Sequence, residues 1–204
     1  SEVTADLAAR LGVKPAIHPM TDHPVRTMVH SEDGVLPFQH YFVRERCQPS
    51  VTGVRLQGVE NAEPNRQVRG LIERNAFSDV IVCPSNPFLS VDPVLQLPGL
   101  WQMLRDSNAT VTVVSPIVAG TAIKGPAAKM MAEMNMPVTA LGVAEYYSRR
   151  YSGLVDSFVI DVSDGKLTQE IERLGYRVGV TSTVMKDIQD KIALARYVLD
   201  PASR

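Results

Sequence analysis

The feature that most constrains this fold is a regular alternation of short β-branched runs and helical segments that begins near residue 65. After a helical segment at 65–74, strands are predicted at 79–83, 110–114, 137–140, 157–161 and 177–181, and helices at 93–105, 124–134, 142–150, 167–174 and 184–198. Helical connections of this length join parallel strands through right-handed crossovers. The sequence therefore predicts an α/β fold with a Rossmann-like, mostly parallel sheet and flanking helices.

The region before residue 60 has a different pattern. Residues 26–30 alternate between polar and apolar side chains, the turn Glu32-Asp33-Gly34 follows, and 35–43 returns, which is typical of a β-hairpin. A further alternating strand is predicted at 51–59. We interpret 15–60 as a β-hairpin-rich excursion from one domain, 1–204, whose nucleotide-binding α/β body spans 65–204. Two short elements precede the hairpin: an amphipathic helix with Val3, Leu7 and Leu11 on one face, and a strand at 16–20.

Composition excludes several classes of protein. Hydrophobic residues make up 45% and charged residues 21% of the 204 residues, as in ordinary soluble domains. The net charge of -1 gives no overall field that would favour nucleic acid or an anionic membrane surface. No apolar run reaches the ~18 residues that span a bilayer. Cys47 and Cys83 lie far apart, so we expect a reduced, cytoplasmic protein without a disulfide.

A polar turn follows the predicted strand 79–83. Ser85 and Asn86 offer side-chain donors, and Pro87 stiffens the turn and removes one backbone donor. Such a turn can hold an anion or a carbonyl group with its side chains and backbone N–H groups. The alternative is that Ser85 and Asn86 only bond to their own backbone. Both interpretations are open at this point.

A second turn of this kind follows the predicted strand 110–114. It runs from Ser115 through Gly120 to Lys124 and Gly125, where a Met-rich helix begins. Small residues let a ligand approach the backbone, and Lys124 adds positive charge near a helix start. Phosphate or diphosphate is the natural ligand, although the Walker spacing is absent. Because the two turns follow neighbouring parallel strands, we expect them to form the walls of one crevice.

A carboxylate and an imidazole lie together at Thr21-Asp22-His23, after the predicted strand 16–20. An Asp-His pair can bind a metal or act in acid–base chemistry. The alternative is a turn in which the Asp22 carboxylate accepts backbone N–H groups. No Cys/His cluster, Gly-x-Ser-x-Gly or His-Glu-x-x-His pattern is present, which disfavours hydrolases and zinc enzymes.

Taken together and in order, these segments resemble the 2-phospho-L-lactate transferase (CofD-like) family of deazaflavin coenzyme biosynthesis. The resemblance covers nearly the whole chain. It rests on Met20-Thr21-Asp22 with Pro24-Val25-Arg26-Thr27, Phe38-Gln39-x-Tyr41-Phe42-Val43, Pro84-Ser85-Asn86-Pro87 with Leu97-Pro98-Gly99, Ser115-Pro116-Ile117, Lys124-Gly125-Pro126-Ala127-x-Lys129-Met130-Met131, Gly142-Val143-Ala144 and Thr181-Ser182-Thr183-Val184-Met185.

The resemblance implies transfer of a 2-phospholactyl, or phosphoenolpyruvyl, group from a guanosine diphosphate donor to the ribityl hydroxyl of a deazaflavin. GMP would leave, Mg²⁺ would assist, and the protein would form a homodimer. We assign the nucleotide and phosphate contacts to Ser85, Asn86, Pro87, Ser115, Gly120, Lys124 and Gly125, the acceptor contacts to Thr21, Phe38 and Gln39, and catalytic and metal-binding roles to Asp22.

The chain departs from the family at its start. Members of the family begin with a strand and a Gly-rich phosphate loop, followed by acidic residues that help to hold metal, and these do not precede Ser1. We therefore expect a fragment of a longer chain. The alternative function is a non-catalytic nucleotide or sugar-nucleotide regulator on the same scaffold. The segments Thr21-Asp22 and Phe38-Gln39 favour the transferase over the regulator.

Overall fold

The computed structural model describes residues 1–200, which open with helix α1 (Glu2–Arg10). The apolar stripe of this helix faces solvent: Val3, Leu7 and Leu11 are all exposed, and no residue of α1 is buried. The prediction of a strand at 16–20 is wrong, because among the described residues this segment pairs with no strand. The carbonyl of Met20 instead accepts a hydrogen bond from the backbone N–H of Asn65 (2.8 Å), just before the second helix.

The predicted hairpin forms a three-stranded antiparallel sheet in the order β2-β1-β3. Its strands are β1 (Arg26–Ser31), β2 (Gly34–Pro37) and β3 (Val51–Gln57). The returning strand is shorter than predicted, because a proline cannot donate to the ladder and β2 ends at one. The chain then turns through a π-helix at His40–Arg44, which brings Tyr41 into the core.

The α/β body follows. Its elements are α2 (Arg66–Glu73), β4 (Asp79–Val82), α3 (Asp92–Leu95), α4 (Leu100–Arg105), β5 (Thr110–Val114), β6 (Ile117–Val118), β7 (Thr121–Ala122), α5 (Ala127–Glu133), α6 (Ala140–Arg150), β8 (Ser157–Asp161), α7 (Thr168–Glu172), β9 (Arg177–Thr181) and α8 (Ile188–Leu199). A π-helix at Pro87–Val91 leads into α3, and a 3-10 helix at Val162–Leu167 leads into α7.

The main sheet has four strands in the order β4-β5-β8-β9, and every neighbouring pair is parallel. This confirms the predicted α/β fold with a parallel sheet. All four carboxyl ends therefore lie at one edge of the sheet. The small antiparallel hairpin of β6 and β7 follows β5 at this edge, and the sequence did not predict it.

Two predicted elements in the body need correction. The strand at 137–140 is absent: Pro137 to Thr139 form a tight turn, and the Thr139 hydroxyl accepts from Gly142 N (3.0 Å) to begin α6. The helix at 93–105 is interrupted between α3 and α4, because Pro98 follows and Gly99 adopts a left-handed backbone (φ 78°).

The sheet is buried on both faces by alternating side chains. On one face Val113, Phe158 and Ile160 belong to the large core that the helices cover. On the other, Val114 and Val159 pack with Leu194 and Val198 of α8 in a separate apolar cluster. Burial on both faces explains why these strands are almost continuously apolar in sequence. Within residues 1–200, no helix combines the length and apolar character required to cross a membrane.

Candidate functional site

A cavity of about 250 Å³ lies at the carboxyl-end edge of the parallel sheet. Its walls come from the segments that follow β4, β5 and β9, together with the loop before α5 and the start of α8. Asn86 and Lys124 both line it, which confirms the predicted crevice between the two strand-to-helix turns. Ligands of open α/β sheets bind at this edge.

The side-chain oxygen of Asn86 has a structural role. Its Oδ1 accepts hydrogen bonds from the backbone N–H groups of Phe88 (2.9 Å) and Leu89 (3.1 Å) and so caps the π-helix. Its Nδ2 lies 3.5 Å from Sδ of Met130. The alternative interpretation, bonding to its own backbone, therefore holds for the carbonyl oxygen. One hydrogen of the Asn86 NH₂ group therefore remains available to donate to a ligand.

The two serines of the predicted turns differ. Ser115 is almost fully buried, and its hydroxyl both donates to Ile117 O (2.9 Å) and accepts from Ile117 N (3.2 Å). This hydroxyl is already committed to the turn that opens the β6–β7 hairpin. Ser85 also lines the cavity, and within residues 1–200 its hydroxyl has no hydrogen-bond partner. Ser85 is therefore the better placed of the two to contact a ligand.

The charged side chains that line the cavity are both cations. Lys124 extends from the loop before α5, and Lys191 from the first turn of α8. Both residues are exposed, and neither ammonium group has an ion-pair partner among the described residues. The lining contains no Asp or Glu. Sequence reasoning missed Lys191 because it considered two strand-to-helix turns, although the same rule applied to the turn after β9 would have found it.

The wall after β9 is held by a buried carboxylate. Asp161, the last residue of β8, accepts hydrogen bonds from the amide (2.8 Å) and hydroxyl (3.2 Å) of Thr183, and from the amide of Ser163 (2.9 Å). Burial alone would raise the pKa of Asp161, but the hydrogen bonds from Thr183 and Ser163 hold that pKa below its ordinary value. Asp161 is therefore a carboxylate that fixes Thr183 at the cavity.

A second buried carboxylate holds the hairpin beside the cavity. Asp164 accepts a hydrogen bond from the backbone N–H of Ala119 (3.0 Å), where Ala119 and Gly120 both have left-handed backbones. Gly120 and Gly125 shape the loops around the cavity without lining it, and Pro87 is buried at the start of the π-helix. Of the seven predicted phosphate-contact residues, Ser85, Asn86, Ser115 and Lys124 are brought together in the cavity.

Asp22 lies elsewhere. It forms an ion pair with the Ser1 amine, and its Oδ2 accepts from Ser1 Oγ (2.7 Å) and Asn65 Nδ2 (3.4 Å). The hydrogen bonds from Ser1 lower the pKa of Asp22. Asp22 does not line the cavity, and within residues 1–200 no cluster of three or more His, Cys, Asp or Glu side chains is placed to hold a metal ion.

The predicted acceptor residues also lie outside the cavity lining. The Thr21 hydroxyl donates to Glu63 O (2.6 Å) and accepts from His23 N (3.1 Å), so it is part of a turn. The ring of Phe38 packs against Phe42 with centroids 5.5 Å apart, and Gln39 is exposed. The structure therefore brings the predicted phosphate residues together but does not bring the predicted acceptor residues to the same cavity.

Comparisons with known proteins agree with this architecture. The family model described as 2-phospho-L-lactate transferase CofD matches residues 1–195. The chain is 35% identical over 199 residues to the 2-phospho-L-lactate transferase of Methanosarcina acetivorans, covering 98% of this chain and 62% of that protein. It is 33% identical over 207 residues to the phosphoenolpyruvate transferase of Streptomyces griseus, covering 99% of this chain and 63% of that protein.

A solved structure shows the same fold at lower sequence similarity. A Bacillus halodurans protein superposes with a TM-score of 0.66 at 16% identity, over 96% of this chain and 65% of that one, and the same protein is described as a member of the UPF0052 family. The chain spans about 62% of the length of its Methanosarcina acetivorans relative. With the family model matching residues 1–195, the chain belongs to the CofD family.

Proposed function

We propose that this chain carries the nucleotide-diphosphate site of a transferase that moves a 2-phospholactyl group from a guanosine diphosphate donor to the ribityl hydroxyl of a deazaflavin. The observation that supports this most directly is the cavity itself. It joins Asn86, Ser85 and Lys124 at the carboxyl ends of parallel strands, and its lining has positive but no negative side chains. An anion such as a diphosphate is the ligand class that this lining favours.

The proposed reaction is a displacement at phosphorus. The ribityl oxygen forms a bond to the phosphorus of the phospholactyl group, and the bond from this phosphorus to the bridging oxygen breaks. GMP leaves with the bridging oxygen and its electron pair, while the hydroxyl proton passes to solvent or a base. Such reactions depend mainly on positioning and on stabilising charge at the phosphates. Lys124 and the Ser85–Asn86 turn are suited to that task.

The identity of the transferred group is a separate part of the proposal. The Methanosarcina acetivorans relative is named for 2-phospho-L-lactate, and the Streptomyces griseus relative for phosphoenolpyruvate. These groups differ by one unsaturation. Both donors therefore belong in the test.

We propose that Mg²⁺ binds together with the phosphates of the donor. The lining of the cavity by the described residues has no carboxylate, and Asp22 lies outside that lining. These residues do not form a magnesium site by themselves. Mg²⁺ often binds substrate phosphates with only one or two carboxylates, so we propose that the phosphates of the donor would supply most of its ligands. The metal-binding role of Asp22 is tested by comparing the magnesium dependence of the wild type and Asp22→Asn.

The decisive experiment incubates the full-length protein with deazaflavin, Mg²⁺ and either guanylated donor, and measures GMP by chromatography. Release of GMP together with a phosphorylated deazaflavin is the expected result. Absence of GMP with both donors would contradict the transferase. A thermal-shift series with GDP and UDP-sugars distinguishes the alternative: stabilisation by a UDP-sugar alone would favour the non-catalytic regulator. Sedimentation of the same sample tests the expected homodimer.

A further inference from the structure

The cavity has a third wall that the proposed nucleotide contacts do not use. It is formed by Thr183 to Met185 after β9 and by Lys191 in the first turn of α8. The wall is anchored from the neighbouring strand, because Asp161 binds both the amide and the hydroxyl of Thr183. The Asp187 side chain caps α8 through the amides of Gln189 (2.8 Å) and Asp190 (3.0 Å). Lys191 is therefore carried by a fixed element.

The charge of the cavity is unbalanced within the described residues. Lys124 and Lys191 both line it, no carboxylate does, and neither ammonium has an ion-pair partner in residues 1–200. Two like charges in the lining of one cavity repel each other, and water weakens this repulsion because both lysines are exposed. Among the described lysines only Lys129 has an ion-pair partner, Glu133 (2.6 Å), so what distinguishes Lys124 and Lys191 is that both line one cavity. An anion with at least two charges would remove the repulsion at the cavity.

We propose that Lys191 is a second cationic ligand of the diphosphate, which it holds from the β9–α8 wall while Lys124 holds it from the β5–α5 side. This inference rests on the proposed nucleotide-diphosphate site and extends it by one residue. Two point charges from separate elements match an extended anion with two phosphates.

The test is isothermal titration with two probes, inorganic pyrophosphate and GDP, on the wild type, Lys191→Ala and Lys124→Ala. Removing one hydrogen bond to a charged group weakens binding by about 10- to 100-fold. We expect each variant to lose that factor for both probes, and Lys191→Arg to recover most of it. The matched control is Lys166→Ala, which removes the same charge from an exposed residue outside the cavity lining. Its affinities should equal those of the wild type.

The outcomes separate the two proposals. If Lys191→Ala binds pyrophosphate and GDP as tightly as the wild type, Lys191 is not a ligand, while GMP release still stands or falls by its own assay. If pyrophosphate binding falls in Lys191→Ala but the wild type releases no GMP, the two-lysine site stands and the transferase does not. If the wild type binds neither probe, the two-lysine site is overturned. Thermal unfolding without ligand shows that each variant is folded, because removing one of two repelling charges should not lower the melting temperature.

Discussion

The amide of Thr183 donates to Oδ2 of Asp161 over 2.8 Å, across the gap between the end of β8 and the loop after β9. The Thr183 hydroxyl donates to the same oxygen at 3.2 Å. Because Asp161 is 3% exposed, water cannot take the place of its carboxylate as the acceptor for these two donors. One buried side chain thus fixes the position of one wall of the cavity.

Replacing Asp161 with Asn should loosen that wall. The NH₂ group of the new side chain cannot accept a hydrogen bond, and its single oxygen cannot serve both Thr183 and Ser163, so at least one of these residues loses its acceptor. We expect a loss of about 1–3 kcal/mol in the free energy of unfolding, together with weaker GDP binding, measured by urea denaturation and calorimetry. Thr183→Ser, which keeps both donors, should retain most of the affinity. Unchanged stability in Asp161→Asn would show that these bonds contribute little.

The same carboxylate should make stability depend on pH. The pKa of Asp161 is held below its ordinary value in the folded protein. The unfolded state therefore takes up the proton first, and the contribution of Asp161 is fully present above the unfolded pKa of about 4. It is lost as the pH falls through the lower, folded pKa. The stability difference between the wild type and Asp161→Asn should therefore shrink on acidification from pH 6. A difference that grows on acidification would reverse this assignment.

Asn86 has two tasks that two substitutions can separate. Its Oδ1 caps the π-helix through Phe88 and Leu89, while its Nδ2 lies 3.5 Å from Sδ of Met130 and the residue itself lines the cavity. Asn86→Asp keeps an oxygen for the cap but brings a negative charge to the cavity lining, so stability should be nearly retained and GDP affinity should fall. Asn86→Ala removes the cap as well, at a cost of about 0.5–2 kcal/mol. If Asn86→Asp bound GDP as the wild type does, Asn86 would have only its structural role.

The meeting of Asn86 and Lys124 in one cavity could be predicted from sequence, because the rule it uses needs only the order of elements. Parallel strands place all their carboxyl ends at one edge, whatever their side chains are. The rule identifies segments, however, and not the atoms that are free to bind. In the structure the Ser115 hydroxyl binds Ile117 and the Asn86 side-chain oxygen binds Phe88. Both bonds depend on local turn geometry, which the residue types alone do not determine.

Contacts between residues far apart in sequence also could not be predicted from the sequence. The anchoring of Thr183 by Asp161 and of Ala119 by Asp164 joins residues from different loops, and no periodicity in the sequence marks these pairs. The failed strand at 137–140 has a local cause. The run Pro137-Val138-Thr139 has β-type composition, but Pro137 lacks an N–H group and Thr139 is used as a helix cap. In this segment the start of α6 took precedence over β propensity.

Gly142 provides a test of that turn. A Cβ at this position would lie 2.1 Å from the carbonyl oxygen of Pro137, which is backbone and cannot move aside easily. Gly→Ala inside a helix normally stabilises by up to about 1 kcal/mol. Here we expect the opposite sign, a loss of about 1–3 kcal/mol from overpacking. Urea denaturation would measure it. Gly53→Ala in β3, where a Cβ meets nothing within 4 Å, is the matched control and should change stability little.

A second buried acid, Asp92, should make stability depend on pH with the opposite sign to Asp161. Asp92 is 6% exposed and accepts hydrogen bonds from the hydroxyls of Tyr151 (2.7 Å) and Tyr146, with Arg150 Nε at 3.4 Å. Burial raises the pKa of Asp92, and the two tyrosines and Arg150 only partly offset this. The folded state therefore holds this proton to higher pH than the unfolded chain does.

Because the folded pKa of Asp92 is raised, the contribution of Asp92 to stability falls as the pH rises from the unfolded pKa of about 4 through the folded pKa. Asp92→Asn has no such titration, so the wild type should lose stability relative to this variant between pH 4 and 8, measured by urea denaturation at each pH. Tyr151→Phe removes one donor to the carboxylate, so it should raise the folded pKa of Asp92 further and extend the loss to higher pH, besides costing about 1–3 kcal/mol at neutral pH. A wild type that gains stability over Asp92→Asn as the pH rises would mean that the tyrosines and Arg150 outweigh burial, and that Asp92 is a stable carboxylate in the core.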